Sequence, residues 1–211
     1  MQRIIIGLLG KPLAGKDTVA DALRAKFPEI ATISMGDVVR EVKNVGESHR
    51  FWSMLHDVIA VADAGGIAPD EPIFRCLTQL SEEKWAEGKQ VIVWVGGPRS
   101  EYQVDQLDAW TSAQGVEERF LHITVPDSEV YSRVMDRMNH GRADDRSDVI
   151  AVRLQEYERV TKPAVDRLVR EGRIAMVNGV GERHSVCANA IESLQIPLLE
   201  REITLPAMAR R

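Results

Sequence analysis

Short apolar runs alternate along this chain with longer segments in which apolar residues recur every three or four positions. The short runs are rich in valine and isoleucine and lack a clean alternation of apolar and polar residues. That pattern predicts strands of a parallel sheet that are buried on both faces. The predicted strands are Arg3–Leu9, Ala31–Ser34, Val91–Val95, Phe120–Val125 and Ile174–Asn178.

The longer segments predict helices, because their apolar positions fall on one helical face. Strands and helices alternate, which predicts a three-layer α/β fold around a five-stranded parallel sheet. About 55 mostly helical residues separate the second strand from the third, well beyond a simple crossover, and they predict a helical insertion. The predicted helices are Lys16–Phe27, Gly36–Asn44, His49–Ala64, Asp70–Glu87, Glu101–Ala113, Asp127–Asn139, Ser147–Glu171 and Glu182–Leu194.

Length, charge and cysteine content narrow the class of protein. A chain of 211 residues is long enough for one sizeable α/β domain with insertions. The net charge of −5 argues against a general nucleic-acid-binding surface. No apolar run approaches the roughly 20 residues that span a bilayer, and the first run shows no signal-peptide pattern. Cys76 and Cys187 lack metal-ligand spacing and are too few for a disulfide framework, so we expect a cytoplasmic protein.

The segment Gly10–Thr18 follows the first predicted strand and opens the first predicted helix. Its sequence GKPLAGKDT matches the GxxxxGK pattern of a phosphate-binding loop, in the strand–loop–helix context that the motif requires. Glycines let backbone N–H groups point at phosphate oxygens, and the helix adds the positive end of its dipole. Lys16 supplies a mobile positive charge for the terminal phosphates. Asp17 stands where the general motif has a Ser or Thr that holds Mg²⁺, and the hydroxyl follows at Thr18.

Arginines concentrate in one region of this acidic chain. Guanidinium groups bind phosphate in a bidentate manner and stay charged at every relevant pH, so a cluster around a short polar loop suits a compact polyanion. Nearby aspartates leave a second interpretation open, in which single arginines belong to a salt-bridged helix face. The clustered residues are Arg133, Arg137, Arg142, Arg146 and Arg153.

Two more arginines follow predicted strands. Arg40 comes after the second strand, and Arg99 comes after the third, with Gln103 one helical turn further along. Ligands of open α/β sheets bind beyond the carboxyl ends of the strands, so both arginines are candidate ligand contacts. The alternative for each is an exposed arginine beside a helix cap or a plain turn.

Taken together, these motifs resemble the adenylate kinases and related nucleoside monophosphate kinases, over roughly residues 3 to 194. In chain order, the segments are similar to the phosphate loop, the opening and closing segments of the monophosphate site, the Gly-Phe-Pro-Arg…Gln segment, and the lid of short-lid members. The segments are Gly10–Thr18, Ser34–Arg40, Asp63–Glu71, Gly96–Arg99 with Gln103, and Gly141–Asp145 with Arg153, Tyr157 and Pro163.

The resemblance implies one P-loop kinase domain over residues 1–194, followed by a C-terminal extension over 195–211. The core would comprise 1–34, 90–139 and 147–194, with a subdomain for the nucleoside monophosphate (NMP) over about 35–72. A short lid would cover about 138–148. The implied partners are ATP and an NMP, with Mg²⁺ bound to ATP as cofactor, no nucleic acid and no membrane, and we expect a monomer.

The resemblance also implies roles for individual residues. Lys16 would bridge the phosphates of ATP, and Arg133 would stack near the donor base. The implied ATP-binding residues are Gly10, Ala14, Gly15, Lys16, Asp17, Thr18 and Arg133. The implied NMP-binding residues are Met35, Gly36, Arg40, Gly96, Arg99, Gln103, Arg142 and Arg153. The implied catalytic residues are Lys16, Arg99, Arg137, Arg142 and Arg153.

The chain departs from the family pattern at a few positions. Val95 stands where the family usually carries an Asp that helps hold the hydration shell of Mg²⁺, and Asp17 or Thr18 is the candidate to compensate. Met35 and Gly97 replace a Thr and a Phe near the acceptor base. AMP is the first acceptor to test. Because of these two changes, UMP, CMP, a deoxynucleotide or a coenzyme A precursor stays open as the acceptor. A nucleotide-binding sensor without turnover is the alternative that Val95 favours.

Overall fold

The sheet of the computed structural model contains five parallel strands among the described residues, which are 2–139 and 147–196 with side chains at 2–136 and 149–196. Its order is β2-β3-β1-β4-β5, and every neighbouring pair is parallel. The prediction of a five-stranded parallel sheet is confirmed. The strands are β1 (Ile4–Gly10), β2 (Ile30–Ser34), β3 (Val91–Val95), β4 (Glu117–Thr124) and β5 (Ile174–Asn178).

Helices connect the strands, as the alternating pattern predicts. The insertion between β2 and β3 is helical throughout most of its length and holds three helices and a short 3₁₀ turn over Gly46–Ser48. The described helices are α1 (Lys16–Lys26), α2 (Met35–Val45), α3 (Trp52–Asp63), α4 (Asp70–Ala86), α5 (Glu101–Gln114), α6 (Asp127–Asn139), α7 (Ser147–Glu156), α8 (Lys162–Arg170) and α9 (Arg183–Ser193).

Two apolar cores cover the two faces of the sheet. Ile5 and Ile92 pack on one face against apolar side chains of α2 to α5 and α8. Ile4, Ile6 and Val93 pack on the other face against α1, α6, α7 and α9. Burying each such side chain fully stabilises the folded protein by roughly 1.5–3 kcal/mol relative to leaving it exposed. The strands thus read as continuous apolar runs because both faces are covered, and the three-layer prediction is confirmed.

One predicted helix, Ser147–Glu171, is wrong as a continuous element. Helix α7 ends at Glu156, a π turn covers Tyr157–Thr161, and α8 starts at Lys162. Pro163 accounts for the interruption, because proline has no N–H and its ring crowds the carbonyl one turn earlier. The wider turn, in which the N–H of Lys162 bonds to the carbonyl of Tyr157, accommodates that ring.

Smaller differences concern where elements begin. Strand β4 starts at Glu117 rather than Phe120, because Glu117 and Glu118 pair with β1 while their side chains stay half-buried. A search for apolar runs misses such a polar start. Helix α3 begins at Trp52 rather than His49, after the 3₁₀ turn. No helix among the described ranges has both the length and the apolar character needed to cross a membrane.

The connection after β1 determines where a ligand crevice forms. The chain leaves β1 through α1 and returns at β2, on the sheet edge, so β3 comes to lie beside β1. The N–H of Gly96, just after β3, donates to the carbonyl of Leu8 in β1 at 2.8 Å. The loops after β1 and β3 therefore begin side by side at the carboxyl edge, where open α/β sheets bind ligands.

Candidate functional site

The loop between β1 and α1 has a backbone shape that glycine permits. Gly10 and Gly15 have φ angles of 147° and 100°, in the region that other residues rarely adopt. A Cβ atom on Gly10 would lie 2.7 Å from the carbonyl oxygen of Ile123. Ala14, within the loop, is buried at 1% exposure. The loop thus curls tightly over the end of the sheet and directly precedes the N-terminus of α1.

Lys16 lies at the start of α1, and its side chain folds back over the loop. Its Nζ donates to the carbonyls of Gly10 and Lys11 at 2.9 and 2.7 Å. The pKa of Lys16 is lowered to about 8, chiefly by burial and then by the charge of Arg99, while Asp17 acts in the opposite direction. A cation held at this cost of desolvation indicates a place built to receive an anion.

Arg99 meets Lys16 at Gly96, the first residue after β3. A Cβ atom on Gly96 would lie 3.2 Å from Nη2 of Arg99 and 3.6 Å from Cε of Lys16. The Nε of Arg99 donates to the carbonyl of Gly96 at 2.7 Å. Burial lowers the pKa of Arg99, and the nearby charge of Arg153 on α7 lowers it further. Lys16 and Arg99 therefore meet at Gly96, with the charge of Arg153 near enough to act on Arg99, and we call these three residues the cation cluster (Lys16, Arg99 and Arg153).

Arg40 lies on α2, apart from the cation cluster in its contacts. Its side chain is 63% exposed and donates to the carboxylate of Asp37 one turn earlier. Ser34 caps this helix by accepting from the N–H of Asp37 at 3.4 Å. A Cβ atom on Gly36 would lie 3.5 Å from Nη1 of Arg40, so the guanidinium lies over the first turn of α2. Met35, the other predicted contact here, is buried at 5% exposure in the core.

Gln103 is buried at 1% exposure, and its amide bonds to the protein at both ends. Its Oε1 accepts from the backbone N–H of Arg99 at 2.8 Å, and its Nε2 donates to Oδ1 of Asp70 at 2.8 Å. The same carboxylate oxygen accepts from Oγ of Ser100 at 2.8 Å. Sequence reasoning missed Asp70 as part of this arrangement. The contact of Gln103 with an acceptor base stays a prediction.

Arg133 on α6 ties the loop after β1 to the loop after β5. Its Nη1 donates to the carbonyl of Leu13 at 2.9 Å, and its Nη2 donates to the carbonyl of Gly179 at 2.7 Å. Its Nε donates to the carboxylate of Glu129 at 2.8 Å. Each nitrogen of the planar group thus has a protein partner. The face of the group is what remains for a base to stack on, and that stacking stays a prediction.

A further polar pair joins β4 to the π turn and was not predicted. Nε2 of His122 is 2.7 Å from the hydroxyl of Tyr157 in the π turn, and its Nδ1 is 3.1 Å from Oγ1 of Thr124. Lys11 of the loop forms an ion pair with Glu158 of the same π turn at 3.3 Å. The π turn therefore contacts β4 beneath the phosphate loop, and no local sequence signal marks a bond between residues so far apart in the chain.

The burial of His122 should make the stability of the protein depend on pH in the acid range. The pKa of His122 is lowered from 6.5 to about 4, chiefly by burial and then by the charges of Lys16, Lys11 and Lys162, while Asp166 acts in the opposite direction. Between these pH values the unfolded chain binds the proton and the folded chain does not, so the free energy of unfolding falls as pH drops. We expect a loss of about 2 kcal/mol between pH 7 and pH 5 that is absent in His122→Asn, measured by urea denaturation.

His56→Asn on the exposed face of α3 is the matched control, since it removes a histidine that is not buried. A His122→Asn variant whose stability difference from the wild type is the same at both pH values would contradict this expectation.

Oxygen donors for a metal ion are sparse at the loop. Asp17 is exposed and Thr18 half-buried in the first turn of α1, while Val95 at the end of β3 is apolar and 8% exposed. Within residues 2–136 and 149–196, no group of three His, Cys, Asp or Glu could hold a metal ion by itself. Mg²⁺ often binds through substrate phosphates and one or two carboxylates, and these donors fit that mode.

Part of the predicted site lies outside the residues that the structure describes. Arg142 and Arg146 fall in 140–146, and the side chain of Arg137 is likewise outside the described residues. Most of the predicted lid over 138–148 and most of the extension over 195–211 also lie outside the described residues. The described site thus comprises the phosphate loop, the cation cluster, Arg40 and Arg133.

Comparisons with known proteins show which proteins the chain is similar to. A family model described as adenylate kinase matches residues 8–173. A curated adenylate kinase of Leptospira biflexa serovar Patoc is 29% identical over 197 residues, which cover 92% of this chain and all of that protein. Those of Micrococcus luteus and a Nocardioides species are 30% and 31% identical, covering 89% and 92% of this chain and 88% and 97% of theirs.

Proposed function

Because the chain belongs to the adenylate kinase family and is therefore a nucleoside monophosphate kinase, we propose that it transfers the terminal phosphoryl group of ATP to AMP, forming two molecules of ADP. The observation that carries the proposal is the convergence of Lys16 and Arg99 at Gly96. These residues come from the loops after two neighbouring strands. A phosphate held by one loop would face a phosphate held by the other.

The chemistry of the proposed reaction asks for cations rather than for covalent steps. Phosphoryl transfer relies on positioning and on neutralising charge, and two phosphorylated ligands repel each other unless cations lie between them. Lys16 would hold the phosphates of ATP, and Arg99 and Arg153 would hold the acceptor phosphate and the group in transfer. No general base is needed, since an acceptor phosphate is already ionised at neutral pH.

Other residues would complete the site. Arg40 would exchange its bond with Asp37 for one with the acceptor phosphate, and Arg133 would offer the face of its guanidinium to the donor base. Arg137 and Arg142, with the short lid over 138–148, would close over the phosphates and exclude water, which competes as an acceptor. We propose the cytoplasm as location and a monomer as the working form.

Magnesium would enter with ATP. Asp17 and Thr18 would hold it from the first turn of α1, and phosphate oxygens and water would provide its other ligands. Bound there, the cation would neutralise charge on the phosphates during transfer. Val95 offers no oxygen, so this proposal gives Asp17 the carboxylate role.

Replacing Asp17 tests the metal proposal. Both Asp17→Ala and Asp17→Ser should lower kcat about tenfold at limiting Mg²⁺, because both remove the carboxylate. Excess Mg²⁺ should restore part of the lost turnover. The readouts are the Mg²⁺ dependence of turnover and of ATP binding by calorimetry. Asp21→Ala, one turn further along α1 and paired with Arg24 on the surface, is the control. Loss of activity in Asp17→Ala with full activity in Asp17→Ser would argue for local geometry instead.

The acceptor is tested with a panel of monophosphates. ADP formation from ATP and Mg²⁺ is measured with AMP, UMP, CMP, deoxynucleotides and a phosphorylated coenzyme A precursor. The proposal expects AMP to give the highest kcat/KM. A preference for another acceptor would replace AMP within the same enzyme class. Met35 and Gly97, which stand where the family has a Thr and a Phe near the acceptor base, are the reason to compare several acceptors. Tight binding of a two-headed adenosine analogue without any turnover would support a sensor.

A further inference from the structure

A buried hydrogen-bond chain links the start of α4 to the backbone of Arg99. Oδ1 of Asp70 accepts from Nε2 of Gln103 at 2.8 Å, and Oε1 of Gln103 accepts from the N–H of Arg99 at 2.8 Å. The chain continues from Arg99 itself, whose Nε donates to the carbonyl of Gly96 at 2.7 Å. Arg99 is thus held at its backbone and at its side chain by different partners.

Chemistry fixes the direction of this chain. A backbone N–H can only donate, so the amide group that faces Arg99 must be the Gln103 oxygen. A carboxylate only accepts, so the group that faces Asp70 must be the Gln103 nitrogen. The two ends agree on one orientation of the amide. Removing the Asp70 carboxylate would take away the partner that holds the nitrogen end in place.

Asp70 also holds the cap of the next helix. Its Oδ1 accepts from Oγ of Ser100 at 2.8 Å, while that Oγ accepts from the N–H of Gln103 at 3.1 Å and caps α5. One carboxylate oxygen therefore orients two residues that follow Arg99 within one helical turn. Asp70 is the first residue of α4, where the helix dipole favours a negative charge.

We propose that Asp70 is a positioning residue for the acceptor monophosphate, acting through Gln103 on the backbone of Arg99. The proposal rests on the proposed kinase function. Asp70 does not touch Lys16 or the phosphate loop in any described contact, so its removal should weaken the acceptor side and spare the ATP side. This selectivity separates positioning from a general loss of structure.

The test compares three variants by equilibrium binding and by kinetics. Asp70→Ala should weaken binding of the monophosphate that the panel identifies, and raise its KM, by about tenfold, with KM for ATP changed less than twofold. Asp70→Asn keeps an oxygen acceptor at the same position and should stay within about threefold of the wild type. Glu71→Ala is the matched control, because Glu71 joins α4 to Tyr102 of α5 at 3.1 Å without reaching Gln103.

A double-mutant cycle and an exchange measurement test the path. Asp70→Ala should add little in a Gln103→Leu background, since the two residues act in series. The Arg99 amide should exchange its hydrogen faster in Asp70→Ala than in Glu71→Ala, a readout that needs no turnover. Additive effects, equal changes in both KM values, or acceptor binding unchanged by Asp70→Ala would overturn the positioning role. A wild type that binds no monophosphate would refute the kinase proposal itself, and this inference with it.

Discussion

Lys16→Met is expected to lower kcat by about three orders of magnitude while the protein stays folded. The ammonium of Lys16 is partly buried and donates to the carbonyls of Gly10 and Lys11. ATP phosphates would offer it a full negative charge in the same place, and methionine cannot replace that interaction. The measurement is steady-state ADP formation with saturating AMP, alongside thermal unfolding.

The buried charge of Lys16 should also make the free energy of unfolding depend on pH. The pKa of Lys16 is lowered to about 8 in the folded chain from 10.5, so the unfolded chain binds more protons between these values. The free energy of unfolding of the wild type should therefore rise with pH through this window, and Lys16→Met should lack the rise. Lys26→Met at the exposed end of α1 is the control and should leave turnover unchanged. Turnover retained in Lys16→Met would refute a role for this charge.

The parts of the site that sequence could predict are local in the chain. The phosphate loop needs glycines at fixed spacing between a strand and a helix, and all of these lie within a few residues of one another. The φ angles of Gly10 and Gly15 are the ones that such a loop requires. Buried parallel strands are equally visible, since they appear as apolar runs.

The parts that sequence could not predict join residues far apart in the chain. Arg133 reaches the carbonyl of Leu13 across 120 positions, and His122 reaches Tyr157 across 35. Such bonds depend on how helices pack against the sheet, and nothing in a short window encodes that packing. The interruption at the π turn has a local signal in Pro163, but its consequence depends on where the helix meets β4.

Gln103 shows the same limit within a motif. Its position one turn after Arg99 predicts a shared site, and the structure does place it beside Arg99. Its second partner, Asp70, is 33 residues earlier and starts a different helix. A motif therefore predicts which residues approach a ligand more readily than which residues hold them there.

Replacement of Arg99 is the second change with a large expected effect on activity, and its positive charge and its planar shape can contribute separately. Its Nε bonds to the carbonyl of Gly96 at 2.7 Å, and its pKa is lowered by burial and then by Arg153. A lysine at this position would keep a positive charge but would lack the planar fork that holds a phosphate through two parallel bonds. Charge alone and bidentate geometry thus make different contributions that two variants can distinguish.

Arg99→Ala is expected to lower kcat/KM for the acceptor by about a thousandfold, and Arg99→Lys by about a hundredfold, with the affinity for ATP nearly unchanged. The measurements are initial rates over a range of AMP concentrations and calorimetric binding of ATP. Arg24→Ala, which removes an exposed arginine paired with Asp21 on α1, should match the wild type. Equal losses in Arg99→Lys and Arg99→Ala would mean that the fork carries the whole effect, whereas a Lys variant at wild-type rates would show that any cation suffices. ATP affinity lost in parallel with acceptor affinity would contradict the assignment of Arg99 to the acceptor side of the cation cluster.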